Sequence, residues 1–419
     1  MTLRRRDFLQ LVSAGTAAAR LLACGDNGGE LAATAILDPD ERSVIAAIWS
    51  RIAGATVEIV ARVAGQQVVA ARLALDGEIG RAELTGLSPD TEHEITIDVA
   101  GLVLGPHRVR TAPRADEGRP VRVAVLADCD PSPEFASGMI DALAAAAPEI
   151  AISIGDFPYT DNGPPARTVP QYRARHAWLR VHPPVRALLE SAGLYAIYDD
   201  HEVRNDWDGR TRIDEPARYA AAIQVWDEFF PQRAPAGEIR YRRWRWGAHL
   251  ECFLLDCRRF RSANRAIDDG GKTMLGAEQR RWLIDGVTQS TAAFKLVLTS
   301  VPLDFGTGDD HWASFRTERD AIFAALLGTP GVLFVSGDQH FFAAHRHAYG
   351  IREIQIGPLA RGLGTPGPPA PGVLFRAVRY NAGVIDVAGD RLTITGLGAD
   401  GEAFYRETLS PADLTPRTT

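Results

Sequence analysis

The sequence predicts a two-part chain, a small all-β sandwich followed by a larger α/β layered domain. Three observations carry this reading. Residues 34–112 hold short β-rich runs separated by turn residues. From Val121 onward, apolar runs alternate with amphipathic helical stretches. Acidic residues and histidines cluster directly after several of those runs, where strands of an open α/β sheet end and ligands gather.

The 419 residues suit two domains. A hydrophobic share of 46% with 24% charged residues allows a large buried core. The net charge of −7 argues against generic electrostatic binding of nucleic acid or anionic lipid, while leaving room for a locally basic substrate pocket. The cysteines, Cys24, Cys129, Cys252 and Cys257, show no paired spacing. Cys252 and Cys257 share one apolar run, point to opposite strand faces and read as core residues.

Residues 1–30 read as a signal peptide and tether. Arg4-Arg5-Arg6-Asp7-Phe8-Leu9 precedes a short apolar stretch, too short to span a membrane. The Arg-Arg-Asp-Phe-Leu core resembles a twin-arginine signal, which implies the twin-arginine export machinery as a partner and a periplasmic or extracellular destination. Leu21-Leu22-Ala23-Cys24 resembles a lipoprotein processing box. It offers lipid anchoring through Cys24, with plain cleavage as the alternative because Arg20 interrupts the apolar stretch.

The first domain, 34–112, is expected to place strands at Val44–Trp49, Val57–Val63, Val68–Leu75, Ile79–Leu84, Glu94–Val99 and His107–Thr111. The segment Leu84–Ile95 resembles the fibronectin type III corner, with His93 in place of its tyrosine and Trp49 as the core tryptophan. His93 and His107 have no acidic or thiol neighbour in sequence and read as structural. The Pro-, Gly- and charge-rich segment 112–120 marks the boundary, and the second domain runs over 120–410.

In that second domain, Val121–Leu126 leads into Asp128-Cys129-Asp130, and Ile150–Ile154 into Gly155-Asp156-Phe157-Pro158-Tyr159. Leu194–Ile197 leads into Tyr198-Asp199-Asp200-His201-Glu202, and Val332–Val335 into Gly337-Asp338-Gln339-His340. Helices are expected at Ser137–Ala147, Ala277–Ser290 and Thr317–Leu327, and a closing hairpin at Gly383–Val387 and Arg391–Thr395. Gly362–Gly372, with four prolines, reads as a semi-rigid loop over or beside the site.

Hard oxygen donors and imidazoles at strand ends are what a metal-ion hydrolase needs. Taken singly, each has a plainer reading: Cys129 as a core thiol, Tyr159 as a packing aromatic, Asp199-Asp200 as a cap. Their shared strand-end position favours metal work. Arg258 and Arg261 suit either substrate phosphate or structural ion pairs. His345 and His347 suit either a ligand role or a solvated strand face.

The ordered set Asp128-Cys129, Gly155-Asp156-x-x-Tyr159, Asp199-Asp200-His201-Glu202, Leu255-Asp256-x-Arg258-x-x-Arg261 and Gly337-Asp338-x-His340 resembles the alkaline phosphatase D (PhoD-like) family of calcineurin-like metallophosphoesterases. The resemblance implies a four-layer α/β metallophosphoesterase sandwich, with an iron-type ion bridged to calcium-type ions. Carried over by motif, Cys129, Asp156, Tyr159 and His340 hold the first ion. Asp156, Asp200 and Asp338 hold the second, with Asn205 of Arg204-Asn205-Asp206 as a further candidate. His201 protonates the leaving group or holds the phosphate, Glu202 orients it, and Arg258 and Arg261 steady the phosphate. The function implied is exported, metal-dependent hydrolysis of phosphomonoesters or phosphodiesters by a metal-bound hydroxide. The alternatives are a phospholipase D-like activity on the same scaffold and a non-catalytic surface lipoprotein. The chain departs from the family at Asp128, where serine is usual, at Phe157-Pro158, and at Thr299-Ser300-Val301-Pro302. Asp128 is therefore either an extra ligand or an ordinary strand-end carboxylate.

Overall fold

A computed structural model describes residues 33–418 except 136, 232, 234–239 and 307. The signal-like Arg4–Leu9 segment, the rest of residues 1–30 and Cys24 lie outside the described residues.

Seven strands come first: β1 (Ala33–Pro39), β2 (Ser43–Ser50), β3 (Thr56–Val63), β4 (Gln66–Ala74), β5 (Ile79–Thr85), β6 (Glu92–Val99) and β7 (Leu102–Arg110). They form two antiparallel sheets, ordered β1-β2-β5 and β4-β3-β6-β7. Alternating residues such as Val57, Ile59 and Ala61 of β3 and Ile95, Ile97 and Val99 of β6 close a core with Val44, Ala46 and Ile48 of β2.

The second part contains β8 (Val121–Leu126), α1 (Met139–Ala145), β9 (Ile150–Ser153), α2 (Val169–Val181), α3 (Pro183–Ser191) and β10 (Gly193–Ala196). Then come α4 (Thr211–Asp214), α5 (Pro216–Phe229), β11 (Arg242–Trp246), β12 (Leu250–Leu254), α6 (Gly276–Gln289), β13 (Phe294–Leu298) and α7 (Arg316–Ala325). Strands β14 (Val332–Ser336), β15 (Phe342–Arg346), β16 (Arg352–Gln355), β17 (Val373–Ala377), β18 (Asn381–Ala388), β19 (Arg391–Gly398) and β20 (Ala403–Leu409) complete it. Helices α2, α3 and α5 begin with proline in the first turn, where its missing N–H costs nothing.

Two sheets pack face to face, ordered β10-β9-β8-β18-β19-β20 and β11-β12-β13-β14-β16-β15-β17. Val123, Val125, Ile152, Leu254, Leu296 and Val335 belong to the core between them. Ala124, Leu126 and Leu194 turn instead toward α1, α2, α3 and α5, and Phe253, Val297 and Phe334 toward α6 and α7. The result is the four-layer α/β sandwich expected. Its strands are buried on both faces, which is why they read as unbroken apolar runs. Cys252 falls between the sheets and Cys257 under α6 and α7, on opposite faces.

The β-sandwich docks on the helical layer. Arg233 and Arg242 both pair with the buried Asp38, and Tyr195 donates from its hydroxyl to the Pro39 carbonyl at 2.7 Å. Trp49 is a correction. It packs not in the sandwich core but with the helical layer of the second domain, stacked on Phe229 of α5 at 6.3 Å between ring centres. Because β2 is buried on both faces, its sequence does not say which core receives the indole.

Candidate metal centre and its surroundings

The site lies where parallel strands β8, β9 and β10 of one sheet and β14 of the other end. Four of its residues leave those ends in left-handed backbone: Asp128 (φ 59°), Asp156 (φ 57°), Asp338 (φ 75°) and His340 (φ 58°). Each such non-glycine residue costs roughly 1–3 kcal/mol, and such costs gather at functional sites. Gly155 lets two of the loops meet. A Cβ there would stand 2.3 Å from the Asp199 Cβ.

The ligand atoms of Asp128, Asp156 and His340 lie within 4.8 Å of one another, as do those of Asp156, Asp200 and His201. Two further groups of the same tightness share Asp200: Asp199, Asp200 and Asp338, and Asp200, Asp206 and Asp310; a fifth, His345, His347 and Glu353, shares no residue with the rest. Asp156 is thus shared by two groups and Asp200 by three. Burial pushes the Asp128, Asp156 and Asp338 carboxyls well above the usual carboxylate range, and the neighbouring carboxylates push them further. Buried Asp128 Oδ2 and Asp200 Oδ1 have no hydrogen-bond partner. A Cβ on Gly357 would stand 2.1 Å from Asp128 Oδ2, so glycine keeps that space open. Such a concentration of buried, under-satisfied carboxylates fits bound cations.

His340 donates from Nδ1 to the Gly362 carbonyl at 2.7 Å. Its Nε2, 3.0 Å from the Tyr159 hydroxyl and 3.8 Å from Asp128 Oδ1, is left as a donor atom to a metal. Burial lowers this imidazole to about 4, which keeps it neutral. His201 stands on the other flank. Its ring lies 4.2 Å from that of Tyr159, and its Nδ1 is 2.6 Å from Asp161 Oδ1. Burial alone would lower its affinity for a proton, but Asp200 and Asp161 outweigh burial and raise it to about 9.

The PhoD-like phosphatase family matches residues 139–360, more than half of the chain. The chain belongs to that family. It is also similar to alkaline phosphatase D of Bacillus subtilis (strain 168), 28% identical over 216 residues. The aligned stretch spans 43% of this chain and 36% of that relative's length. Among solved structures, that of PhoD superposes with a TM-score of 0.78 at 17% identity, over 92% of this chain and 90% of that one. A purple acid phosphatase from yellow lupin (Lupinus luteus) seeds superposes with a TM-score of 0.68 at 13% identity, over 93% and 77%. Both share the fold.

Within this PhoD-like scaffold, Asp156, Tyr159, Asp200, His201, Asp338 and His340 come together as a single site. Cys129 does not join them. Its side chain is fully buried in the apolar cluster beneath the helices, and burial holds the thiol well above its ordinary range. The left-handed turn at Asp128 breaks strand alternation, so Asp128 enters the site in place of Cys129.

Arg258 is a second correction. It is fully buried and grips Asp199 with two N–H groups at 2.5 and 2.8 Å, Asp310 at 2.7 Å and the Trp207 carbonyl at 3.2 Å. Arg261 is likewise committed to Asp310 and to the Cys257 carbonyl. Both brace acidic loops and neither is exposed at the surface. Glu202 does not orient His201. It accepts from the backbone N–H groups of Asp156, Phe157 and Asp199 at 3.2, 2.7 and 2.9 Å, tying two ligand loops together. Asn205 is exposed, and its backbone N–H donates to Asp161 at 2.7 Å. Its neighbour Asp206 is the one whose carboxylate joins an acidic group.

His345 and His347 lie apart from these groups. Both face the buried Glu353, at 3.2 and 2.7 Å. Asp161 and Asp310 escaped the sequence reading. Asp161 stood two residues past Tyr159, a visible but unread spacing. Asp310 follows no strand and carried no such signal.

Proposed function

We propose that this chain is an exported, metal-dependent phosphoesterase acting on phosphomonoesters or phosphodiesters. The single observation behind the reading is Asp156, one buried carboxylate shared by two groups of potential ligands. Asp128, Tyr159 and His340 would hold one ion with it, and Asp200 and Asp338 a second. This oxygen-rich set with one imidazole suits hard cations of the iron and calcium types better than a thiolate set would. A pair of such ions, when bound, acidifies water and neutralises phosphoryl oxygens.

The chain's own groups supply the rest. His201 carries a proton near neutral pH and is aimed by Asp161, so it can protonate the leaving oxygen. Arg258 and Glu202 keep the loops rigid while charge develops. Export is supported by the Arg4–Leu9 motif.

Hydrolysis of a chromogenic phosphodiester and monoester by metal-supplemented protein, beside Asp156→Ala, tests the reading. Turnover abolished in the variant upholds it, whereas no turnover by well-folded wild type removes it. The phospholipase D-like alternative has one observation behind it: Leu363, 45% exposed, follows Gly362, the partner of His340. Release of a free head group from a phosphatidyl substrate would favour that version.

A further inference from the structure

A site built from so many carboxylates repels an anionic substrate unless a cation faces it. Arg258 and Arg261 are fully buried and held by acidic loops and backbone. Arg361 is placed differently. Its side chain is 22% exposed, and its guanidinium lies 4.6 Å from the centre of the Tyr159 ring and 4.8 Å from that of Phe135. Its ion pair, with Asp130 at 3.4 Å, is long beside the 2.5 and 2.8 Å contacts of Arg258. Asp130 is moreover shared with the Asn162 amide.

The backbone on either side of Arg361 is pinned to the site. Ala360 donates to the Asp128 carbonyl at 3.0 Å, and the Ala360 carbonyl accepts from Asp130 at 2.6 Å. The Gly362 carbonyl accepts from His340 Nδ1 at 2.7 Å. A guanidinium held over aromatic rings keeps its N–H edge free for a bidentate anion.

We propose that Arg361 grips the phosphoryl oxygens of the substrate at the mouth of the acidic centre, on the phosphoesterase reading given above. It is a substrate-binding residue set by the same backbone contacts that set Asp128 and His340. Little has to move when the anion arrives.

The test compares wild type with Arg361→Met, which keeps an apolar stem on the rings, and Arg361→Lys. Three quantities are read: KM for a chromogenic phosphodiester, the inhibition constant or calorimetric Kd of inorganic phosphate, and metal content by mass spectrometry. For Arg361→Met, KM and the phosphate constant should rise about 10- to 100-fold, as expected when a charged hydrogen-bond partner is lost. Metal content should be unchanged and kcat should stay within a few-fold. Lysine should restore part of the binding, since it keeps the charge but not the fork.

Unchanged phosphate binding in Arg361→Met overturns the inference. So does loss of metal in step with activity, which would make Arg361 a prop for Tyr159. If wild type binds phosphate through Arg361 yet hydrolyses no ester, the inference stands and the phosphoesterase reading falls. If wild type binds no phosphate, the inference falls too.

Discussion

Replacing Asp128 by asparagine should have opposite effects on the ion-free and ion-loaded protein. The Asp128 carboxyl is buried, its Oδ2 has no hydrogen-bond partner, and Asp199 and Asp200 repel its charge. Without ions, a neutral amide of the same shape relieves that cost by about 1–3 kcal/mol. For a domain of this size the gain is a rise in melting temperature of roughly 2–5 °C. With ions, the amide removes a charged ligand. Loss of even an outer hydrogen-bonding partner of a metal ligand costs 10–100-fold in affinity, so at least about that much is expected here. Cys129→Ser should instead cost about 1 kcal/mol of core packing in both states and leave metal content intact. Calorimetric melts with and without chelator, and metal analysis after dialysis, read all of this. If Cys129→Ser sheds an ion while Asp128→Asn keeps both, the thiolate is the ligand and the assignment made from Asp128 is wrong.

Arg258→Ala leaves Asp199 buried without its cation and Asp310 with Arg261 alone, so it should cost roughly 3–5 kcal/mol of stability. A raised KM with an unchanged melting temperature would instead return Arg258 to substrate binding. Asp161→Ala removes the carboxylate that aims His201. Hydrolysis of alkyl esters, whose leaving group needs a proton, should fall about 100-fold, and that of nitrophenyl esters far less, with metal content unchanged. An equal fall for both esters would deny His201 the role of acid. His107, buried between β7 and α3 beside Arg186 and Glu190, is lowered by burial from 6.5 to about 4. The folded state favours the neutral ring, so this contribution to stability is complete above about pH 6.5. It is lost as pH falls from there through about 4, amounting to roughly 3 kcal/mol. Denaturant melts of His107→Gln should show that much less acid sensitivity over this window, and an identical pH slope would refute the assignment.

The layered architecture was legible because buried strands leave long apolar runs, and strand ends leave the acidic motifs in plain order. Val121–Leu126 is bounded as read, and Gly383–Val387 lies within β18. What periodicity could not show was orientation after a strand ends. Asp128 and Cys129 are adjacent, and only the left-handed φ at Asp128 decides which one enters the site. The same limit hid the fate of Arg258. Its partners Asp199 and Asp310 are 59 and 52 positions away in opposite directions, and nothing local marks them as a set. Trp49 failed for a related reason, since a strand buried on both faces carries no sign of which side is which.

The costs collected at the centre point the same way as its chemistry. Four left-handed residues, each worth roughly 1–3 kcal/mol, aim side chains at one small volume. Buried carboxylates there stand closer to one another than their charges favour. Arg258 neutralises Asp199 and Asp310 and stands 3.4 Å from one oxygen of Asp200. A purely structural acidic cluster would spread out or recruit further arginines, yet Gly155 and Gly357 instead keep the loops close and the space beside Asp128 open. The backbone therefore holds Asp128, Asp156 and Asp338 in an arrangement that is unfavourable alone and becomes favourable only when cations share it. Chelation should accordingly lower the melting temperature of the wild type by more than that of Asp128→Asn.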